Sequence, residues 1–149
     1  MRLLLQRVSS ASVRVQGETI ARIGYGVLLF VGVEKGDGPR QIDAAVEKLS
    51  SLRIFEDNAG KMNLDAASVG ASFLVVSQFT LAASLARGRR PSFDSAAPPE
   101  QAAPLIAALV VRLRARGLEV AEGRFGARMA VELINDGPVT FLLEFPVGE

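Results

Sequence analysis

Two short stretches of the sequence hold residue types that could do chemistry. In Ser77-Gln78-Phe79-Thr80-Leu81, an apolar run ends in three hydrogen-bonding side chains. A hydroxyl of Ser77 or Thr80 attacks a carbonyl only when a neighbouring base takes its proton. The chain contains no His, and no Lys, Asp or Glu lies close to these hydroxyls in sequence. The sequence thus argues against a nucleophilic triad, and the same side chains also suit the plainer task of satisfying backbone groups at a strand end. The second stretch is Asn135-Asp136-Gly137-Pro138-Val139-Thr140. Its composition is that of a turn between two strands. An X–Pro bond, however, adopts the cis form at a cost of only about 0.5–1 kcal/mol. A cis Gly137–Pro138 bond would turn two carbonyl oxygens in one direction, a pair of acceptors suited to an ammonium group. The sequence alone leaves both readings open.

Two groups of arginines accompany these stretches. Arg87, Arg89 and Arg90 follow the first closely and read either as a solvated loop or as a phosphate contact, since guanidinium pairs with phosphate in bidentate fashion. Arg112, Arg114 and Arg116 stand at the expected end of a helix, where cations suit the dipole, and read as structural with a nucleic-acid contact as the alternative.

Composition limits the chemistry further. The 149 residues make one domain, and 49% hydrophobic with 22% charged residues is the balance of a globular chain with a proper core. The absence of Cys as well as His excludes the usual N/S zinc site, Ser–His and Cys–His pairs, and disulfides. No metal and no cofactor is expected. A net charge of +1 gives no bulk basic field. The apolar run at Leu3–Leu5 ends at Gln6-Arg7, short of a signal-peptide core. Residues 66–86 carry no charge, yet they include Gly70, Gln78, Thr80 and four serines, which fits a buried strand plus a polar loop better than a membrane span. The expected setting is the cytoplasm, with no membrane partner.

The elements that must position these residues are legible from period and punctuation. Residues 2–8 and 12–16 read as strands, the second with period two; a turn at Gly17-Glu18 leads into a strand over 19–23. Val27–Val31 is a continuous apolar strand for a sheet interior. Gly24-x-Gly26 lacks the third glycine of a dinucleotide loop and leads into a strand, so that function is rejected. Pro39 opens a helix with an apolar stripe at Ile42, Ala45, Val46, Leu49 and Leu52. A short strand at 54–55, a tight turn at 57–60 and a buried strand over 73–79 follow; Lys61-Met62-Asn63 has no evident role. Residues 82–98 form a long connection of the kind that is often functional. A second helix begins at Pro98-Pro99, buries Ala102, Ile106, Leu109, Val110 and Leu113, and stops at Gly117. Strands over 119–125, 129–134 and 139–145 finish the chain, with the turn at 135–138 between the last two. The expected fold is α+β, a mostly antiparallel, barrel-like sheet of many strands with two long helices packed on it.

The two stretches together resemble the signature motifs of the D-aminoacyl-tRNA deacylases. Gln6-Arg7-Val8, Ala11-Ser12-Val13, Gly32-Val33-Glu34, Arg53-Ile54-Phe55, Gly60 to Asn63, Arg87 to Phe93 and Gly123-Arg124-Phe125 fit the same family in order, over essentially the whole of residues 1–149. The resemblance implies hydrolysis of the ester that joins a D-amino acid, or glycine (including glycine mischarged on tRNA-Ala), to the 3′ end of tRNA. It implies a homodimer with active sites at the subunit interface. Gly137 and Pro138, in cis, would enter the pocket of the other subunit and block L-side chains. Ser77, Gln78, Phe79 and Thr80 would line the pocket floor, with the Phe79 N–H as oxyanion donor and Thr80 as the family's nucleophile candidate. A mechanism built on backbone groups and the 2′-hydroxyl of the terminal adenosine agrees better with a chain that lacks histidine. Arg87, Arg89 and Arg90 would contact tRNA. Ser84 departs from the family, which often has an acidic residue there. A non-catalytic RNA-binding module and a dimeric ligand-binding protein are the competing readings.

Overall fold

The computed structural model describes residues 1–148. In chain order the elements are β1 (Arg2–Val15), β2 (Glu18–Ile23), β3 (Gly26–Gly32), α1 (Pro39–Ser51), β4 (Phe55–Glu56), β5 (Met62–Leu64), α2 (Ala66–Val69), β6 (Ser72–Ser77), a 3-10 turn (Phe79–Ala82), α3 (Pro99–Ala115), β7 (Glu119–Glu122) and β8 (Ala130–Glu144). The main sheet runs β2-β1-β3-β6-β7, and β8 is added along β1. Strand β1 serves three neighbours because of its length. Its first half pairs with β3, its second half with β2, and β8 follows its other edge. All three pairings are antiparallel, whereas β3/β6 and β6/β7 are parallel. The α+β reading holds, with antiparallel pairs in the majority.

The continuous apolar runs at β3 and β6 are explained by burial on both faces. Val27, Leu29, Val31, Phe73 and Val75 face the helices α1 and α3, meeting Ile42, Leu49, Ile106 and Leu109. Leu28, Leu74 and Val76 face the opposite way into a second cluster with Val8, Val13 and Ile23, closed over by the curl of the sheet. Helix α1 starts as its sequence promised, with Pro39 in the first turn and Gln41 Oε1 accepting from the Gly38 N–H at 2.9 Å. The arginines at the end of α3 are structural. Arg112 pairs with Asp43, Arg116 with Glu47 at 2.8 Å, and Arg114 donates to the Val120 carbonyl at 2.7 Å. These pairs tie α3 to α1 and to β7, though exposed ion pairs of this kind each contribute about 1 kcal/mol or less. The α-ammonium of Met1 is buried against Glu34, Asp37 and the Phe145 carbonyl at 2.9–3.1 Å.

Several sequence expectations need correction. Residues 2–8 and 12–16 are not separate strands but one strand, β1. The turn at 135–138 does not divide two strands: β1 offers partners on both sides of it, so the ladder resumes and β8 is one strand that carries a protrusion. Strand β4 is shifted one residue, to Phe55–Glu56, and β7 stops at Glu122 rather than at Phe125. The buried strand expected over 73–79 runs as Ser72–Ser77 and gives way to a turn at Phe79. Lys61-Met62-Asn63 contributes to β5, the partner of β4. Helix α2, held by Asp65 Oδ1 accepting from the Ser68 N–H and closed by Gly70 at φ +67°, was not foreseen.

Candidate active site

Strand β6 brings the first motif out of the core. Val76 is buried, Ser77 is half-buried, and Phe79 stands 59% exposed. The Gln78 N–H still donates to the Val31 carbonyl at 2.8 Å, after which the chain tightens into the 3-10 turn, with Leu81 N–H donating to Gln78 O and Ala83 N–H to Thr80 O. The N–H groups of Phe79 and Thr80 open this turn and have no carbonyl within it to meet. No other described group accepts from them. The turn lies directly on Gly32. A Cβ at that position would sit 2.7 Å from Leu81 Cβ and 3.1 Å from Gln78 O, so glycine is what lets β3 pass beneath.

The Thr80 hydroxyl accepts a hydrogen bond from the Gln78 side-chain amide. An amide NH2 is a donor and cannot take a proton, so this contact gives Thr80 no base. Beside the turn is a cleft of about 250 Å³, lined by Val76, Ser77, Gln78, Phe79, Gly126, Ala127, Met129 and Val131. Ser77 also borders a smaller hollow of about 100 Å³ with Glu122, Gly123 and Phe125. A larger hollow of about 630 Å³ between α1 and α3 is spanned by the ion pairs described above and holds none of the motif residues.

The long connection returns to the same place. Ser84 and Ser92 pair across a small hairpin at 2.8 and 2.9 Å, and Phe93 then packs against Phe79 with ring centroids 5.2 Å apart. Arg87, Arg89 and Arg90 are exposed at the tip of that hairpin and form no ion pair among the described residues.

The second motif is built around an interruption of the β1/β8 ladder. Gln6 pairs with Thr140 and Val8 with Asn135, so Arg7 alone faces the segment from Asp136 to Val139. That excess of chain protrudes. Asn135 Oδ1 accepts from the Val139 N–H at 3.0 Å, and Thr140 Oγ1 accepts from both Asn135 Nδ2 and Gln6 Nε2 at 3.0–3.1 Å, closing the base. Gly137 and Pro138 are exposed at the tip, joined by a cis peptide bond, with Gly137 at φ +134°. The polar residues of the motif thus hold the loop, and its tip presents main chain.

Arg7 is the residue that sequence reasoning missed. Its side chain is only 3% exposed. Nη1 donates to the Ile54 carbonyl at 2.8 Å, Nε donates to the Asp136 carbonyl at 3.2 Å and pairs with Asp136 Oδ2 at 3.2 Å, and Nη2 reaches Glu56 Oε1 at 3.4 Å. A signal existed: period two puts Arg7 on the same face of β1 as the fully buried Leu3 and Leu5, a charge in a core slot.

Ser77, Gln78, Phe79 and Thr80 are brought together, and the arginine hairpin is tied to them through Phe93. Gly137 and Pro138 are not. Ser77 pairs with Val31, Val31 with Leu3, and Leu3 with Leu143, whereas the protrusion leaves at Arg7. Four rungs along the strands and three strand spacings across them separate the two motifs, roughly 13 Å by 14 Å.

Residues 4–144 match the family model described as D-Tyr-tRNA(Tyr) deacylase. The chain belongs to this family. Family membership makes it a deacylase, a hydrolase acting on ester bonds. It is 55% identical over 144 residues to a protein of Pelobacter propionicus named D-aminoacyl-tRNA deacylase, covering 97% of this chain and 99% of that one. A Thermomicrobium roseum protein of the same name is 56% identical over 144 residues, covering 97% and 94%. Among solved structures, one named c-Myc DNA Unwinding Element Binding Protein superposes with a TM-score of 0.92 at 38% identity, covering 99% of this chain and all of that one. A second, described as a probable eukaryotic D-amino acid tRNA deacylase, has a TM-score of 0.81 at 20% identity over 95% of this chain and shares the deacylase fold. No described helix is long and apolar enough to cross a membrane.

Proposed function

We propose that the chain hydrolyses the ester between a D-amino acid and the 3′ end of tRNA, as a homodimer whose subunits each form one deacylase domain over residues 1–149. The stretch from Ser77 to Thr80, where β6 passes into the 3-10 turn, receives the ester, and the Phe79 N–H donates to the oxyanion as it forms. One aimed donor of this kind is worth about 3–4 kcal/mol. An aminoacyl ester is already activated, so a water molecule adds to its carbonyl without a strong protein nucleophile. The neighbouring 2′-hydroxyl of the terminal adenosine takes up the water's proton as it hands its own to the departing 3′-oxygen, releasing free amino acid and tRNA. The cleft lined by Gln78, Phe79 and Met129 takes the terminal nucleoside. Gly137 and Pro138 of a second copy enter the site and exclude L-side chains. Excluding them a thousandfold takes about 4 kcal/mol, which a rigid clash supplies more readily than a soft pocket. Glycine has nothing to clash and passes, including glycine mischarged on tRNA-Ala. The substrate puts the work in the cytoplasm.

The observation that carries this reading is the separation of the motifs. Two strands, β3 and β1, and four rungs lie between the exposed tip at Gly137–Pro138 and the turn at Phe79, and this gap supports a reading in which the tip serves the site of a second copy. The test is release of free amino acid from D-Tyr-tRNA and L-Tyr-tRNA. The expected result is turnover of the D form alone; equal rates on both, or none on the D form, would overturn the proposal. Thr80→Ala is expected to keep kcat within about tenfold of the parent, the rate effect of roughly 1.4 kcal/mol. Loss of all turnover at an unchanged melting temperature would instead restore a threonine nucleophile.

The exposed arginine hairpin, and the name of the 38% identical structure, favour one second reading: a nucleic-acid-binding module without catalysis. It requires binding of the acceptor end with no release of amino acid, and an affinity that falls with salt by about 0.7 log units per neutralised phosphate and log unit of salt.

A further inference from the structure

Arg7 joins two parts of the molecule. On one side its Nε meets Asp136, within the protrusion itself, and on the other its Nη1 and Nη2 meet Ile54 O and Glu56 Oε1 at the start of β4. Asp136 and Glu56 are the only carboxylates paired with this buried cation among the described residues. They differ in one respect: Asp136 moves with the tip, whereas Glu56 belongs to the body of the protein. Glu56 is anchored there by its neighbour Phe55, 1% exposed, which meets Tyr25 edge-on with centroids 5.3 Å apart. Tyr25 lies in the field of the same charges. Burial pushes its phenol pKa up, Arg7 pulls it down, and Asp136 and Glu56 push it up.

We infer that Glu56 is a positioning residue for stereochemical selection: by holding Arg7 Nη2 from the β4 side at 3.4 Å, it fixes the guanidinium that in turn holds Asp136 at the base of the Gly137–Pro138 tip. This rests on the proposed role of that tip. Nη2 has no other partner among the described residues. Without the Glu56 charge, compensation of the buried cation falls entirely on Asp136, and on the β4 side the guanidinium is held at Nη1 alone, by the Ile54 carbonyl, leaving Nη2 free to shift with the tip. Glu56 is half-exposed and touches neither the turn at Phe79 nor the cleft.

The test measures kcat and KM of the full-length protein on D-Tyr-tRNA and L-Tyr-tRNA, for the parent, Glu56→Gln, Glu56→Asp and Gly137→Ala, with thermal melting as the check on folding. Glu56→Gln is expected to lower the D-over-L ratio of kcat/KM by about fivefold, through faster turnover of the L form, with kcat on the D form unchanged within about twofold. Glu56→Asp, which keeps the charge, retains most of the ratio. A ratio unchanged in Glu56→Gln but lowered in Gly137→Ala would overturn the role of Glu56 alone. A ratio unchanged in both would overturn the role of the tip as well. A loss shared equally by D and L substrates would mark Glu56 as merely structural.

Discussion

Gly137→Ala is expected to open the enzyme to L-aminoacyl-tRNA, lowering its D-over-L ratio of kcat/KM at least about tenfold, a change of roughly 1.4 kcal/mol in discrimination. Gly137 holds φ at +134°, a region that L-residues rarely adopt, and such a conformation costs a residue with a side chain on the order of 1–3 kcal/mol. The added Cβ would also lie 2.7 Å from Val139 Cγ2, 3.1 Å from Val139 N and 3.4 Å from Arg7 Nη2. Two of these neighbours are fixed, one by the Asn135–Val139 hydrogen bond and the other by the Arg7 network, so the tip must move instead. A rigid clash discriminates only while it stays rigid. The fold should survive, because the β1/β8 ladder continues on both sides of the protrusion. Parallel assays on the two stereoisomers, with melting curves, decide the matter; an unchanged ratio in a folded protein would remove the tip from stereochemical selection.

Phe79→Pro is expected to reduce kcat on D-Tyr-tRNA by about 10²–10³-fold, the loss typical of one oxyanion donor. Proline is tolerated in the first turn of a helix, where the missing N–H has no carbonyl to meet, and Phe79 occupies that place in the 3-10 turn. The substitution therefore removes the proposed donor at little cost to the turn. It also removes the ring that packs on Phe93, and Phe79→Ala controls for that by deleting the ring and keeping the N–H. Only the proline variant should lose the full factor. Equal losses in the two variants would assign the effect to the aromatic pair and leave the N–H without a part in the chemistry.

Local order was legible in the sequence where it depends on neighbours in the chain. The stripe of α1, the runs of β3 and β6 and the apolar face of α3 all follow from period and punctuation. What was not legible depends on partners far away. Asn135-Asp136-Gly137-Pro138 has every mark of a turn between strands, and it becomes a protrusion within one strand only because β1 resumes its pairing on both sides. Arg7 is buried because Ile54 and Asp136 meet it from 47 and 129 residues away. The motifs themselves stood out by residue type, while the distance between them is a property of strand order and register, which no short window contains.

The seating of the 3-10 turn on Gly32 has a consequence for how such a site would be found by mutation. A catalyst whose donors belong to the main chain is invisible to side-chain truncation: alanine at Phe79 or Thr80 leaves each N–H where it was. An alanine scan across the first motif would pass through the proposed reacting centre and report it as tolerant. The sensitive positions are those that set the path of the backbone, foremost a glycine in a neighbouring strand some fifty residues earlier, on which the turn rests. In a protein of this design, the map of mutational damage and the map of chemistry do not coincide.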